Sequence, residues 1–185
     1  MTRAEELIAA GHERLRRHVE RFSRYGDERA QARELLEHAA GGELDDDAEV
    51  DPRTRRRFET LVERRARGEP VPYIRGYEVF LDMRLAVKPG VFIPRETTEF
   101  LARQATRRLR GRADPVAADL ACGVGAVALA IARDVPTATV YGTDISKSAV
   151  SLARANARSN GVANATFVVG VCSTRSRRNS AARWM

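Results

Sequence analysis

Apolar residues recur at helical spacing through the first seventy positions and then give way to short, near-alternating runs. Ile8, Leu15, Val19 and Phe22 fall near one face, and Thr2 and Glu5 have the spacing of a capping box, so a first helix is expected over about residues 3–24. Asp27 is placed to cap a second helix, with Ala32, Leu35, Leu36 and Ala39 inward and Gly41-Gly42 as its stop. Asp51 followed by Pro52 joins a cap to a first-turn proline. A third helix should run from there to Gly68, burying Phe58, Leu61 and Val62.

The texture changes after Pro70 and Pro72. Residues 77–81 and 84–87 predict a hairpin around Asp82-Met83, residues 91–93 extend to Pro94, and a helix follows over about 97–110. Beyond Pro115 the pattern alternates: strand 116–120, glycine turn and helix 123–133, strand 139–143, helix 147–160, strand 165–169. Alternation of that kind builds a parallel sheet with helices on its faces. The expected fold class is α/β, with a small helical domain over 1–70, a hairpin linker over 71–96, a partial Rossmann-like domain over 97–170 and a basic tail over 171–185.

Composition narrows the functional classes. The 185 residues are 43% hydrophobic and 31% charged, enough for a core in one domain or two small ones. No apolar run approaches the roughly 20 residues that cross a bilayer, and acids stand where a signal peptide would be apolar. The expectation is a cytoplasmic protein with no membrane partner. Cys122 and Cys172 are too few for a disulfide framework or a zinc site, and Asp45, Asp46 and Asp47 read as solvated loop acids, so no metal is expected. Net charge is +7, but Arg175, Arg177, Arg178 and Arg183 place +4 of it in the tail. Thirty arginines against Lys88 and Lys147 point to GC-rich coding, so nucleic acid is expected as a partner only through that tail.

The candidate chemistry lies in Asp119-Leu120-Ala121-Cys122-Gly123-Val124-Gly125-Ala126, where a strand ends and a helix begins. Glycines there allow a sharp turn and close approach of a ligand to helix N-terminal N–H groups. Such a turn alone is also a common structural device. Asp144 adds to it, ending the next strand 19 residues after Gly125, where an acid can accept from both hydroxyls of a ribose. Ala128 stands at the third glycine position of the dinucleotide fingerprint, which leaves NAD open. Asp119 favours a cofactor bearing an ammonium group, as S-adenosyl-L-methionine does. Asp119, Ala121, Cys122, Gly123, Val124, Gly125 and Asp144 are the expected cofactor-binding residues, with Cys122 present for its small size.

The run 119–126 and Thr143-Asp144-Ile145-Ser146 resemble the first two motifs of class I methyltransferases. The stretches Gly68-Glu69-Pro70-Val71-Pro72-Tyr73-Ile74-Arg75-Gly76 and Val87-Lys88-Pro89-Gly90-Val91-Phe92-Ile93-Pro94-Arg95-Glu96-Thr97-Thr98-Glu99 are similar to the HemK-type protein-glutamine N-methyltransferases. The resemblance covers most of residues 27–170. It implies S-adenosyl-L-methionine as cofactor, the Gly-Gly-Gln glutamine of a peptide chain release factor as substrate, and a helical module that docks it. A relative acting on a ribosomal protein shares much of the pattern. Arg95 is a pocket candidate, with a surface ion pair to Glu96 or Glu99 as its alternative. His12, His18, His38, Tyr73 and Tyr77 are read as structural.

An amide nitrogen is a poor nucleophile, so methylating it depends on acceptors that aim it at the sulfonium methyl. The family uses Asn-Pro-Pro-Tyr, which residues 126–185 do not contain, so no catalytic residue is assigned. The resemblance stops at Val171. With GC-rich codons, residues 171–185 read in a shifted frame spell Leu-Leu-Asp-Ala-Leu-Pro-Ala-Glu-Leu-Arg-Gly-Ala-Val-Asp, similar to the family's continuation. The expectation is a truncated or frameshifted family member with an open sheet edge and no glutamine methylation. A non-catalytic ribosome- or RNA-binding protein is the alternative.

Overall fold

The computed structural model describes residues 2–19 and 27–170, and it divides the chain into two compact units, Met1–Tyr77 and Glu78–Met185. Phe22, the side chains of His18 and Val19, and the tail 171–185 with Cys172 lie outside what it describes.

In the first unit a two-residue strand β1 (Thr2–Arg3) leads into α1 (Ala4–Val19) and pairs antiparallel with β2 (Glu49–Val50). The pairing replaces the expected capping box: the N–H groups of Ala4 and Glu5 donate to the carbonyls of Ala48 and Asp46, at 2.9 and 3.0 Å. The loop of three acids thereby supplies the cap through its backbone, and Thr2 is held in a ladder instead. Helices α2 (Glu28–Ala40) and α3 (Pro52–Ala66) start where the aspartates predict. Asp27 accepts from the Arg29 N–H at 3.0 Å, and Asp51 accepts from Arg53 and Thr54 at 2.8 and 3.1 Å. Gly41, at φ 87°, ends α2 in the left-handed conformation.

Leu7, Ile8, Leu15, Leu35, Leu36, Phe58, Leu61 and Val62 form one buried cluster. Gly11 makes the approach of helices possible, because a Cβ there would sit 2.7 Å from Phe58 Cζ. Within this cluster Arg65, 1% exposed, donates from Nε to Gln31 Oε1 at 2.7 Å. Residues 71–75, read from sequence as the start of a connection, instead form a short helix α4 (Val71–Arg75) whose Val71 and Ile74 belong to the same core.

A hairpin follows, β3 (Tyr77–Phe80), which begins at the last residue of the first unit, and β4 (Met83–Ala86). Its two-residue turn, Leu81-Asp82, has positive φ at both positions (47° and 65°), matching the right-handed twist of the strands. Two helices pin it, α5 (Glu96–Leu109) and α6 (Ala126–Asp134): Glu99 accepts the Leu81 N–H at 3.2 Å and Arg133 donates to the Leu81 carbonyl at 2.6 Å. Residues 91–93, expected to extend, instead follow a turn closed by Val91 N–H to Lys88 O at 3.2 Å.

Three parallel strands follow in the order β5 (Val116–Leu120), β6 (Thr139–Asp144), β7 (Ala165–Val169), with α6 and α7 (Lys147–Ser159) as crossovers. This is the Rossmann-like α/β arrangement expected. Val140 and Gly142 of β6 are buried, and the Gly142 hydrogen is required: a Cβ would stand 2.4 Å from the Phe167 ring. Because the Thr139 N–H donates to Pro115 O, alternation of the ladder turns the backbone of Val116, Ala118 and Leu120 away from β6. Among the described residues nothing pairs with that side of β5. On the opposite edge, Arg154 of α7 donates twice to the Phe167 carbonyl, at 3.0 and 2.6 Å.

Candidate cofactor site

A cavity of about 580 Å³ opens at the C-terminal ends of β5 and β6. One wall is the segment Gly90, Val91, Phe92 and Pro94, and the other is the loop between β5 and α6 with Asp144 at the end of β6. Open α/β sheets bind ligands at this end of their strands.

The loop is shaped by its backbone. Ala121, Gly123 and Gly125 have φ of 60°, 55° and 86°, so the chain reverses sharply, at a cost that the alanine bears most. Cys122 N–H donates to Thr143 O at 2.9 Å, and Gly125 N–H donates to Cys122 O at 2.8 Å. Asp144 ties the second strand to the loop: one carboxylate oxygen accepts the Gly123 N–H at 2.9 Å and the other accepts the Ser146 N–H at 2.8 Å. Each oxygen keeps a second lone pair for a ligand hydroxyl. Ala126 and Val127, the first residues of α6, line the cavity with N–H groups their own helix cannot satisfy.

Asp119 accepts the Ala128 N–H at 3.2 Å. Burial pushes its carboxyl up to about 6, the Ala128 bond opposes the shift, and the charge of Asp144 adds to it. A cationic ligand group would relieve both unfavourable contributions. Cys122 is pushed up to about 12 by burial and the two nearby carboxylates, which keeps it a neutral thiol.

Of the residues singled out from sequence, Asp119, Ala121, Cys122, Gly123, Val124 and Asp144 line this cavity together. Gly125 stands behind it, where an added Cβ would meet Phe167 and Ala153 at 2.9 and 3.0 Å. Arg95 is not in the lining; its guanidinium lies 5.5 Å from the centre of the Phe92 ring, and Phe92 faces the cavity. Phe92, Leu101, Leu120 and Ile145 were not assigned from sequence. They line the cavity although each is more than half exposed. Four large apolar groups left open at one mouth carry a signal only once the fold assembles them.

Comparison with known proteins matches both units. Residues 6–76 match the family model described as PrmC N-terminal domain, and residues 114–174 match one described as Methyltransferase domain. A release factor glutamine methyltransferase of Aliivibrio fischeri is 44% identical over 113 residues, 61% of this chain and 39% of that protein. Its counterpart in Bordetella pertussis is 38% identical over 135 residues, 70% of this chain and 50% of that protein. A 4-amino-L-phenylalanine/4-methylamino-L-phenylalanine methyltransferase of Streptomyces pristinaespiralis is 40% identical over 143 residues, 72% of this chain and 48% of that protein. The chain thus spans two-fifths to half the length of these relatives. The resemblance read from the residues to glutamine methyltransferases is shown by these matches, on both sides of residue 77.

Proposed function

We propose that this chain carries the cofactor-binding half of an S-adenosyl-L-methionine-dependent protein-glutamine methyltransferase whose substrate is the Gly-Gly-Gln glutamine of a peptide chain release factor. The observation that carries it is the pairing of two aspartates across one cavity: Asp119, half-buried and costly to ionise without a cation beside it, and Asp144, at the end of the neighbouring strand. Asp119 suits the cofactor's ammonium group. Asp144 suits the ribose hydroxyls, while the loop 121–125 and the start of α6 hold the carboxylate end. The bound cofactor supplies an electrophilic methyl on a sulfonium. The protein's contribution is to fix and orient that cofactor. Arg95 acts through Phe92, stiffening the rim.

Helical residues 1–70 dock the substrate protein, and the compartment is the cytoplasm, where release factors work. The chain over residues 1–185 binds the cofactor weakly and methylates no glutamine. Its sequence lacks Asn-Pro-Pro-Tyr and with it the acceptors that would grip the amide. A ribosomal protein glutamine is the neighbouring substrate class, separated by which protein the helical unit retains.

The test is a titration of the protein with S-adenosylhomocysteine followed by amide NMR, beside a methyl-transfer assay on a release factor. Shifts confined to residues 119–126 and 144–146, with affinity weaker than micromolar and no transfer, are expected. Absence of any shift sinks the cofactor reading, and micromolar binding or methyl transfer sinks the inactive half.

A further inference from the structure

One buried side chain bonds one wall of the cavity from behind and the strand that leads into the other. Asn156, on α7, is 1% exposed. Its Oδ1 accepts the Ala86 N–H at 2.7 Å, and its Nδ2 donates to the carbonyls of Ala86 and Val124, at 3.2 and 3.1 Å. An amide is the side chain that fits this set, because it offers an acceptor and two donors in one plane. Ala86 ends β4, and four residues later the chain becomes the wall of Gly90, Val91 and Phe92. Val124 sits in the facing loop and lines the cavity itself.

The Val124 carbonyl belongs to the same peptide unit as the Gly125 N–H, which donates to Cys122 O at 2.8 Å. That peptide plane is therefore held at both ends, once by its own turn and once by Asn156. Without the second hold, the plane between Val124 and left-handed Gly125 is kept only by the turn bond to Cys122. Two other amides on nearby elements do comparable bonding without touching the loop. Asn160, just after α7, donates to Arg84 O at 3.1 Å and to the Asn156 carbonyl at 2.9 Å, reaching β4 but not the loop. Asn164 donates to the carbonyls of Ala132 and Ala138, at 2.9 and 3.0 Å, near the C-terminal end of α6.

We infer that Asn156 is a positioning residue for the cofactor, fixing the gap between the wall at 90–94 and the loop at 122–125. The inference rests on the cofactor reading above. Losing Asn156 leaves the buried Val124 carbonyl and the part-buried N–H and carbonyl of Ala86 without that partner and loosens the loop plane, so ligand affinity should fall further than stability does.

The experiment measures S-adenosylhomocysteine affinity by NMR titration and thermal stability by circular dichroism, for wild type, Asn156→Asp, Asn156→Ala and Asn160→Ala. Each titration is run below the onset of unfolding of the least stable variant. Both Asn156 variants are expected to bind about tenfold more weakly or worse, the effect of about 1.4 kcal/mol of lost ordering. Asn160→Ala is expected to lower the midpoint of unfolding while binding within about twofold of wild type. Asn156→Ala buries no charge and gives the reading if Asn156→Asp does not fold. Asn156 variants that bind like wild type overturn the inference and leave the cofactor reading standing, as does an equal loss in Asn160→Ala. A wild type that binds nothing overturns both.

Discussion

At the scale of single residues, the site is governed by the cost of burying Asp119. A carboxyl whose folded value is raised from 3.8 to about 6 favours folding fully below the unfolded value and loses that contribution as pH rises through the folded one. The window is therefore pH 4 to 6, and the ionised aspartate destabilises the free protein above it by roughly 2 to 3 kcal/mol. Asp119→Asn should flatten the pH dependence of the unfolding midpoint in that window and raise it at pH 7, as denaturation monitored by circular dichroism will show. Cofactor affinity should move the other way, rising with pH through about 6 in the wild type and falling in Asp119→Asn at neutral pH. The opposed signs separate a binding aspartate from one kept for packing. Asp119 and Asp144 were legible as acids near strand ends, where they line the cavity, because strand ends and glycine turns are local patterns. Sequence was silent on Asn156 and Phe167, whose partners lie 70 and 25 residues away along the chain.

At the scale of elements, starts were legible where a side chain makes the cap and not where the backbone does. Asp27, Asp51 and Ser146 each hold an N–H of their own helix, and those helices begin where expected. The first helix begins under the carbonyls of a loop more than forty residues away, which no local spacing encodes. Helix contacts were equally hidden. Gly11 looks like a defect in α1, costing about 1 kcal/mol in propensity. Yet Gly11→Ala should destabilise the protein by a net of roughly 1 to 2 kcal/mol in chemical denaturation, because a Cβ wedged against both buried Phe58 and buried Ala32 falls at the upper end of the overpacking range, about 2 to 3 kcal/mol, and exceeds the propensity gained. Phe58→Leu in the same background should recover part of the loss, and an unchanged or improved stability for Gly11→Ala would refute the tight contact.

For the whole molecule, the division at Tyr77 makes a separate expectation. The first unit's buried cluster runs from Ala4 to Ile74 and is made of its own residues. Residues 1–77 expressed alone should show helical circular dichroism and a cooperative thermal transition; a broad, non-cooperative melt would mean that the unit borrows its order from the rest. The sheet behaves differently at its two margins. On β7 the outward Phe167 carbonyl is already taken by the Arg154 guanidinium, whereas on β5 the groups of Val116, Ala118 and Leu120 face away with their apolar side chains exposed. The fold is therefore a template with a direction. One outward carbonyl is occupied at the β7 margin, whereas among the described residues the outward groups of β5 have no partner, so a strand added there would lie beside the very strand that carries Asp119.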